Sequence, residues 1–155
     1  MSKNAIQMLK DDHDKVDELF KKCEKAEPNK QKQIAQQICD ELKVHSAIEE
    51  EVFYPAADKA LGSKERSLVD EALVEHASLA NLIANIEDDM SAKLFTARLT
   101  VLKEYVQHHV KEEENEIMPK VAKADLDLEA LGKELQTART KAKSDLGITH
   151  HASAA

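Results

Sequence analysis

HSAIEEEVFYP, residues 45–55, places a histidine and three consecutive glutamates ahead of two aromatic residues and a proline. A related run, HVKEEENEIMP, occupies residues 109–119. In both, a glutamate follows the histidine by four residues, at Glu49 and Glu113, and a proline follows it by ten, at Pro55 and Pro119. On an α-helix, side chains four apart are rotated by only about 40° and displaced about 6 Å along the axis, so each His/Glu pair can aim at a common point.

The neighbouring sequence gives these pairs a helical setting. Ile6, Leu9, His13, Val16 and Phe20 recur at alternating intervals of three and four, the seam that one helix turns toward its neighbours in a bundle. Ile38, Leu42, His45, Glu49 and Val52 repeat the pattern, as do Val69, Ala72, His76, Leu79, Ile83 and Ile86, and then Phe95, Leu99, Leu102, Val106, His109 and Glu113. Each of four predicted helices therefore carries one histidine on its core-facing stripe, and two add a glutamate. His13 lies 32 residues before His45 and His76 lies 33 before His109, so the chain reads as a doubled helical hairpin.

Composition agrees with an all-α chain. The 155 residues hold three glycines, three prolines and abundant Ala, Leu, Glu, Lys and Gln, which favours helix throughout. Helices are predicted over 4–24, 31–53, 63–88 and 91–121, with Ser63 and Ser91 as N-caps and with Pro55 and Pro119 ending or bending the second and fourth. A shorter helix is expected over 127–143. The expected organisation is a metal-binding domain over 1–124, followed by a C-terminal helix and flexible tail over 125–155, with no role for His150 or His151.

A net charge of −8 argues against nucleic acid as a partner, because a phosphate backbone is gripped by clustered Lys and Arg. No stretch approaches the roughly 20 apolar residues of a membrane span, and the amino terminus has no hydrophobic signal core, so the expected location is the cytoplasm. Cys23 and Cys39 match no CxxC or secreted framework and read as buried, reduced thiols.

Six inward polar groups require a physical reason, since a buried unpaired imidazole or carboxylate costs several kcal/mol. One alternative is that each histidine is a core residue hydrogen-bonded to a neighbour. Four histidines at matching depth with two carboxylates favour a metal instead, and two ions about 3.5 to 4 Å apart, bridged by the carboxylates, would use all six groups. The candidate ligands are His13, His45, Glu49, His76, His109 and Glu113. His108 falls off the seam, and Glu50, Glu51, Glu112 and Glu114 read as a solvated acidic face. Tyr105, one turn before His109, is placed to hydrogen-bond a ligand or to offer a phenolate to the metal, and Asp17, one turn after His13, to accept from a ligand imidazole.

The motifs DDHDKVDELF (11–20), HSAIEEEVFYP, VEHASLANLI (74–83) and HHVKEEENEIMP (108–119), in that order, make residues 5–122 resemble the hemerythrin-like family, the HHE cation-binding domains. The resemblance implies an up-down-up-down four-helix bundle with two iron ions, bridged by the two glutamates and an oxo or hydroxo group, that binds O2, NO or peroxide; manganese or zinc are other metals for such a site. Oxygen-carrying members have a fifth histidine one turn before the position of His76, where this chain has Ala72. The expected consequence is a gap at Ala72 that holds water or an exogenous ligand, and weaker oxygen carriage. Ala80 is the alternative position for that gap.

The reading that follows is a small-molecule or iron-binding protein of the cytoplasm rather than an enzyme, with no catalytic residue assigned. A di-iron oxidase or peroxidase-like enzyme is a second reading, disfavoured because no histidine has a glutamate three residues before it, the motif of ferritin-like sites. A structural zinc module is a third, disfavoured by the absence of thiolates from the seam.

Overall fold

The computed structural model describes residues 3–148, so His150 and His151 lie outside it. Among the described residues every regular element is helical: α1 (Ala5–Lys25), α2 (Pro28–Ile48), α3 (Tyr54–Ala60), α4 (Arg66–Asp88), α5 (Phe95–Glu112), α6 (Met118–Lys123) and α7 (Leu128–Asp145). Wide π turns over Glu49–Phe53 and Glu113–Ile117 join α2 to α3 and α5 to α6. No helix of the described residues is long and apolar enough to cross a membrane.

Local chemistry explains most boundaries. Asn4 caps α1, its side-chain oxygen accepting from the Gln7 N–H at 2.9 Å, and Asp127 caps α7 through the Ala130 N–H at 3.0 Å. Helix α2 begins three residues earlier than expected because Pro28 sits in its first turn, where a missing N–H costs nothing. The two serine caps are not formed. At the start of α4 the Gly62 carbonyl accepts from the N–H groups of Glu65 and Arg66, so a backbone turn satisfies donors that Ser63 was expected to bind. Before α5, Ser91 donates its N–H and its hydroxyl to the Asp89 carboxylate at 2.9 and 2.6 Å, forming a side-chain turn, and the helix waits until Phe95.

Neither Pro55 nor Pro119 ends its helix. In the turn before each, an N–H reaches back five residues: Tyr54 to the Glu49 carbonyl and Met118 to that of Glu113. A proline clashes with the carbonyl four residues back and cannot donate to it. The wider π turn absorbs that conflict, and each proline opens a new short helix in the same direction. The turn also shifts the register, so the residue aligned with each seam glutamate is five positions on rather than four.

Helix α1 packs on α2, α4 on α5, and α2 on α4, while α7 lies across α1 and α2. Among the described residues two large apolar clusters result, beside a small one of Val44, Ala142 and Ile148. One joins Leu9, Ile48, Phe53, Met118 and Val121 with Leu131 and Leu135 of α7; the other joins Val16, Phe20, Ile38, Leu42, Leu79, Ile83, Leu102 and Val106. Gly132 permits the close approach of α7 to the start of α1, since a Cβ there would stand 2.8 Å from the Lys3 carbonyl oxygen. The four seam histidines and two seam glutamates fill the layer between the apolar clusters.

Candidate metal centre

All six side chains chosen from the seam converge. Glu49 and Glu113 are 0% and 1% exposed, and His13, His45, His76 and His109 are buried. They form two groups, His13–His45–Glu49–Glu113 and His76–His109–Glu49–Glu113, in each of which one donor atom per residue lies within 4.8 Å of every other. Both carboxylates belong to both groups. His45 Nε2 and His76 Nε2 each stand 3.1 Å from Glu49 Oε1; His13 Nε2 is 3.2 Å from Glu113 Oε1, and His109 Nε2 is 3.5 Å from Glu113 Oε2.

A second ring of carboxylates fixes the imidazoles. His13 Nδ1 contacts Glu114 at 2.6 Å, His45 Nδ1 contacts Asp12 at 2.8 Å, His76 Nδ1 contacts Glu50 at 2.9 Å and His109 Nδ1 contacts Glu75 at 2.7 Å. The pattern follows the sequence repeat. The residue before the histidine of each odd-numbered hairpin arm (Asp12, Glu75) serves the histidine of the arm that follows it, and the residue after each seam glutamate (Glu50, Glu114) serves a histidine of the other hairpin. Glu50 and Glu114 are thus partners of ligand-type histidines and not merely a solvated face. Asp17 has no part in this, pairing instead with Lys21 at 3.1 Å.

The ring decides what the centre can hold. A neutral imidazole whose Nδ1–H donates to a carboxylate presents a bare lone pair at Nε2. Yet Nε2 of His13 faces Nε2 of His45 at 3.2 Å, and Nε2 of His76 faces that of His109 at 3.2 Å. Two lone pairs at that distance repel unless a cation lies among them. Glu49 Oε2 and Glu113 Oε1, both fully buried, also accept no hydrogen bond from the described residues, the 3.2 Å approach of His13 Nε2 to the latter notwithstanding. Four imidazole nitrogens and shared carboxylate oxygens are the donor set of iron, manganese or zinc, so the residues present fit a pair of such ions.

Without a metal, protons meet the same demand. Burial pulls the His45 imidazolium down, but the charge of Glu49 and the hydrogen bond to Asp12 prevail and hold its pKa well above the usual value. His109 is likewise pushed up to about 9, Glu113 outweighing burial. Asp12 falls to about 2: burial would raise it, and the hydrogen bond and charge of His45 together with Arg139 reverse that.

Tyr54 is the functional side chain that the helical pattern missed. An unbroken α-helix would put Val52 and Phe53 on the Glu49 face, whereas the π turn brings Tyr54 there. Its hydroxyl donates to Glu113 Oε2 at 2.6 Å and lies 3.0 Å from His76 Nε2 and 3.4 Å from His109 Nε2. Burial and the charges of Glu49 and Glu113 drive the phenol's pKa far up, which keeps the proton on it. The repeat supplies no counterpart, because Met118 stands at the equivalent position.

Ala72 lines a hollow of about 260 Å³ together with Glu75, His109 and Glu113, and the phenol of Tyr54 reaches His76 and His109. Ala80, the alternative position, is exposed and lines a hollow of about 420 Å³ with Glu50 and His76. Tyr105 is half-buried and packs on the second cluster, and His108, its side chain 61% exposed, pairs with Glu112 at 3.2 Å on the surface.

The model of the hemerythrin HHE cation-binding domain matches residues 4–121. The chain belongs to that family. Among solved structures, this HHE domain is similar to a hemerythrin HHE cation-binding domain-containing protein from Mycobacterium kansasii, with a TM-score of 0.76 at 23% identity over 92% of this chain and 89% of that one, a likeness of fold. It is also 27% identical over 148 residues to a DNA nickase of Nostoc sp. (strain PCC 7120), matching 93% of this chain and spanning 41% of the relative's length. The family match ends before α7.

Proposed function

We propose that the cluster holds two iron ions, one at His13 and His45 and one at His76 and His109 with Glu49 and Glu113 between them, and that the protein binds O2, NO or peroxide there or buffers iron in the cytoplasm. The observation that carries a two-ion reading is the sharing of both buried carboxylates by two separate histidine pairs. An up-down-up-down four-helix bundle is the arrangement this reading implies. Iron is favoured over zinc because the donors are nitrogen and carboxylate oxygen, with Cys23 and Cys39 in the apolar cluster instead.

Bound iron would supply redox chemistry and coordination positions for a small ligand. The protein supplies the rest. The outer carboxylates hold each imidazole with Nε2 inward, and the Tyr54 hydroxyl holds a proton beside Glu113. Val16, Leu42, Leu79 and Val106 close the histidine face around a cavity of about 20 Å³. A space of that size takes one water or a diatomic molecule. DNA nicking is the named property of the longer relative; a chain of net charge −8 lacks the excess of Lys and Arg that gripping a phosphate backbone requires.

Metal analysis with optical spectra before and after exposure to O2 tests the reading. Two irons per chain and charge-transfer bands in the near ultraviolet are expected. One zinc per chain, with no iron taken up on anaerobic loading, would overturn it.

A further inference from the structure

Three of the four outer carboxylates border open hollows. Glu50 and His76 line one of about 420 Å³, Glu114 and His13 one of about 330 Å³, and Glu75 and His109 one of about 260 Å³. Asp12 lines none of these three. Its side chain is also the most enclosed of the set, 12% exposed against 18% for Glu75, 31% for Glu114 and 48% for Glu50.

What encloses Asp12 is α7. Arg139, on the face of α7 that also buries Leu135, Ala138 and Ala142, places Nη2 3.1 Å from Asp12 Oδ2, the same oxygen that accepts from His45 Nδ1 at 2.8 Å. Among the described residues no guanidinium or ammonium group makes an ion pair with Glu50, Glu75 or Glu114. The chain of contacts Arg139–Asp12–His45–Glu49 therefore runs from a helix beyond the family match to the floor of the centre. A half-buried carboxylate with two cationic or N–H partners has one stable orientation; with only one partner it can turn to solvent. Oriented carboxylates behind ligand histidines are worth about 10- to 100-fold in metal affinity.

We propose that Arg139 is a positioning residue of the metal centre: by fixing Asp12 it fixes His45, so that an α7 cation secures the His13–His45 half of the site, whereas on the His76 side α7 only borders the hollow beside Glu50. The proposal rests on the two-ion reading above and adds an inequivalence between the halves. It assigns α7 a function in metal retention beyond its packing.

The test compares wild type with Arg139→Met, Arg139→Lys and Leu135→Ala, the last loosening α7 without touching Asp12. Each is loaded with Co²⁺ and its metal release to excess chelator is followed optically; ring NMR signals of His45 and His109 are recorded on the metal-free proteins. In Arg139→Met one of the two ions should leave about 10-fold faster than in wild type and the other at the wild-type rate. Arg139→Lys should recover part of the difference, and Leu135→Ala should lower the melting temperature without creating a fast-leaving ion. The His45 ring signals should shift in metal-free Arg139→Met and those of His109 should not. Equal acceleration of both ions, or unchanged release with unchanged His45 signals, overturns the proposal. A wild type that binds no Co²⁺ overturns the two-ion reading instead, and the ring signals then still decide whether Arg139 positions His45.

Discussion

The hydroxyl of Tyr54 donates to Glu113 Oε2 across 2.6 Å, joining two residues 59 positions apart in the interior of the protein. The contact exists because a π turn rotates Tyr54 onto the face that Glu49 occupies, and it leaves a proton where a bare carboxylate would otherwise face the second histidine pair.

Tyr54→Phe keeps the packing and removes that donor. Loss of one hydrogen bond to a buried charged group should destabilise the metal-free protein by about 1.5–3 kcal/mol, read as a lower urea midpoint with an unchanged slope. Tyr105→Phe, on a half-buried packing side chain, should leave the midpoint in place.

Because Glu49 and Glu113 belong to both groups and each histidine to one, substitutions should separate into two classes. Glu49→Gln should weaken binding of both ions, whereas His76→Ala should lower stoichiometry from about two toward one. Metal content after gel filtration measures this, and identical losses in both variants would contradict the shared-carboxylate geometry.

Metal should act as a folding ligand, since it replaces repulsion among lone pairs and unpaired oxygens with bonds. The loaded protein is expected to melt well above the metal-free form, and a chelator should return it to the lower transition. Equal melting temperatures would place the ligands elsewhere.

The metal-free protein should respond to pH in two windows. The folded-state pKa of His109, about 9, lies above its unfolded value of 6.5, so its contribution is complete below about 6.5 and is lost as pH rises toward 9. Asp12, lowered from 3.8 to about 2, contributes above 3.8 and ceases to as pH falls toward 2. Melting temperatures of the apo form should therefore decline on both sides of a plateau, while the loaded form gains stability as pH rises through 6.5 and protons cease to compete for the histidines.

Ala72→His would add an imidazole one turn before His76, on the wall of the hollow that Ala72 shares with Glu75, His109 and Glu113. Azide titration of the loaded variant reads whether the new side chain occupies a metal position: weaker azide binding than wild type is expected, and unchanged binding would show that position 72 does not face the metal.

Much of the centre was legible in the sequence because a helix converts spacing into direction. Intervals of three and four put His13, His45, His76, His109, Glu49 and Glu113 on inward stripes, and burial without partners made six such groups expensive unless something positive joined them. What periodicity could not give were contacts between helices and departures from the α register. Asp12, Glu50, Glu75 and Glu114 lie beside the seam residues and look like surface charge until the next helix brings a histidine within hydrogen-bond reach. Tyr54 was invisible for a different reason: its direction depends on a π turn, and the proline that follows it directly reads as a stop until the backbone shows the wider turn that accommodates it. Arg139 belongs to a helix whose amphipathic pattern can be read from the sequence, yet that pattern does not say which carboxylate it will meet. Direction along one helix is local and written in spacing; which charges meet across helices is set by packing, and only the folded chain decides it.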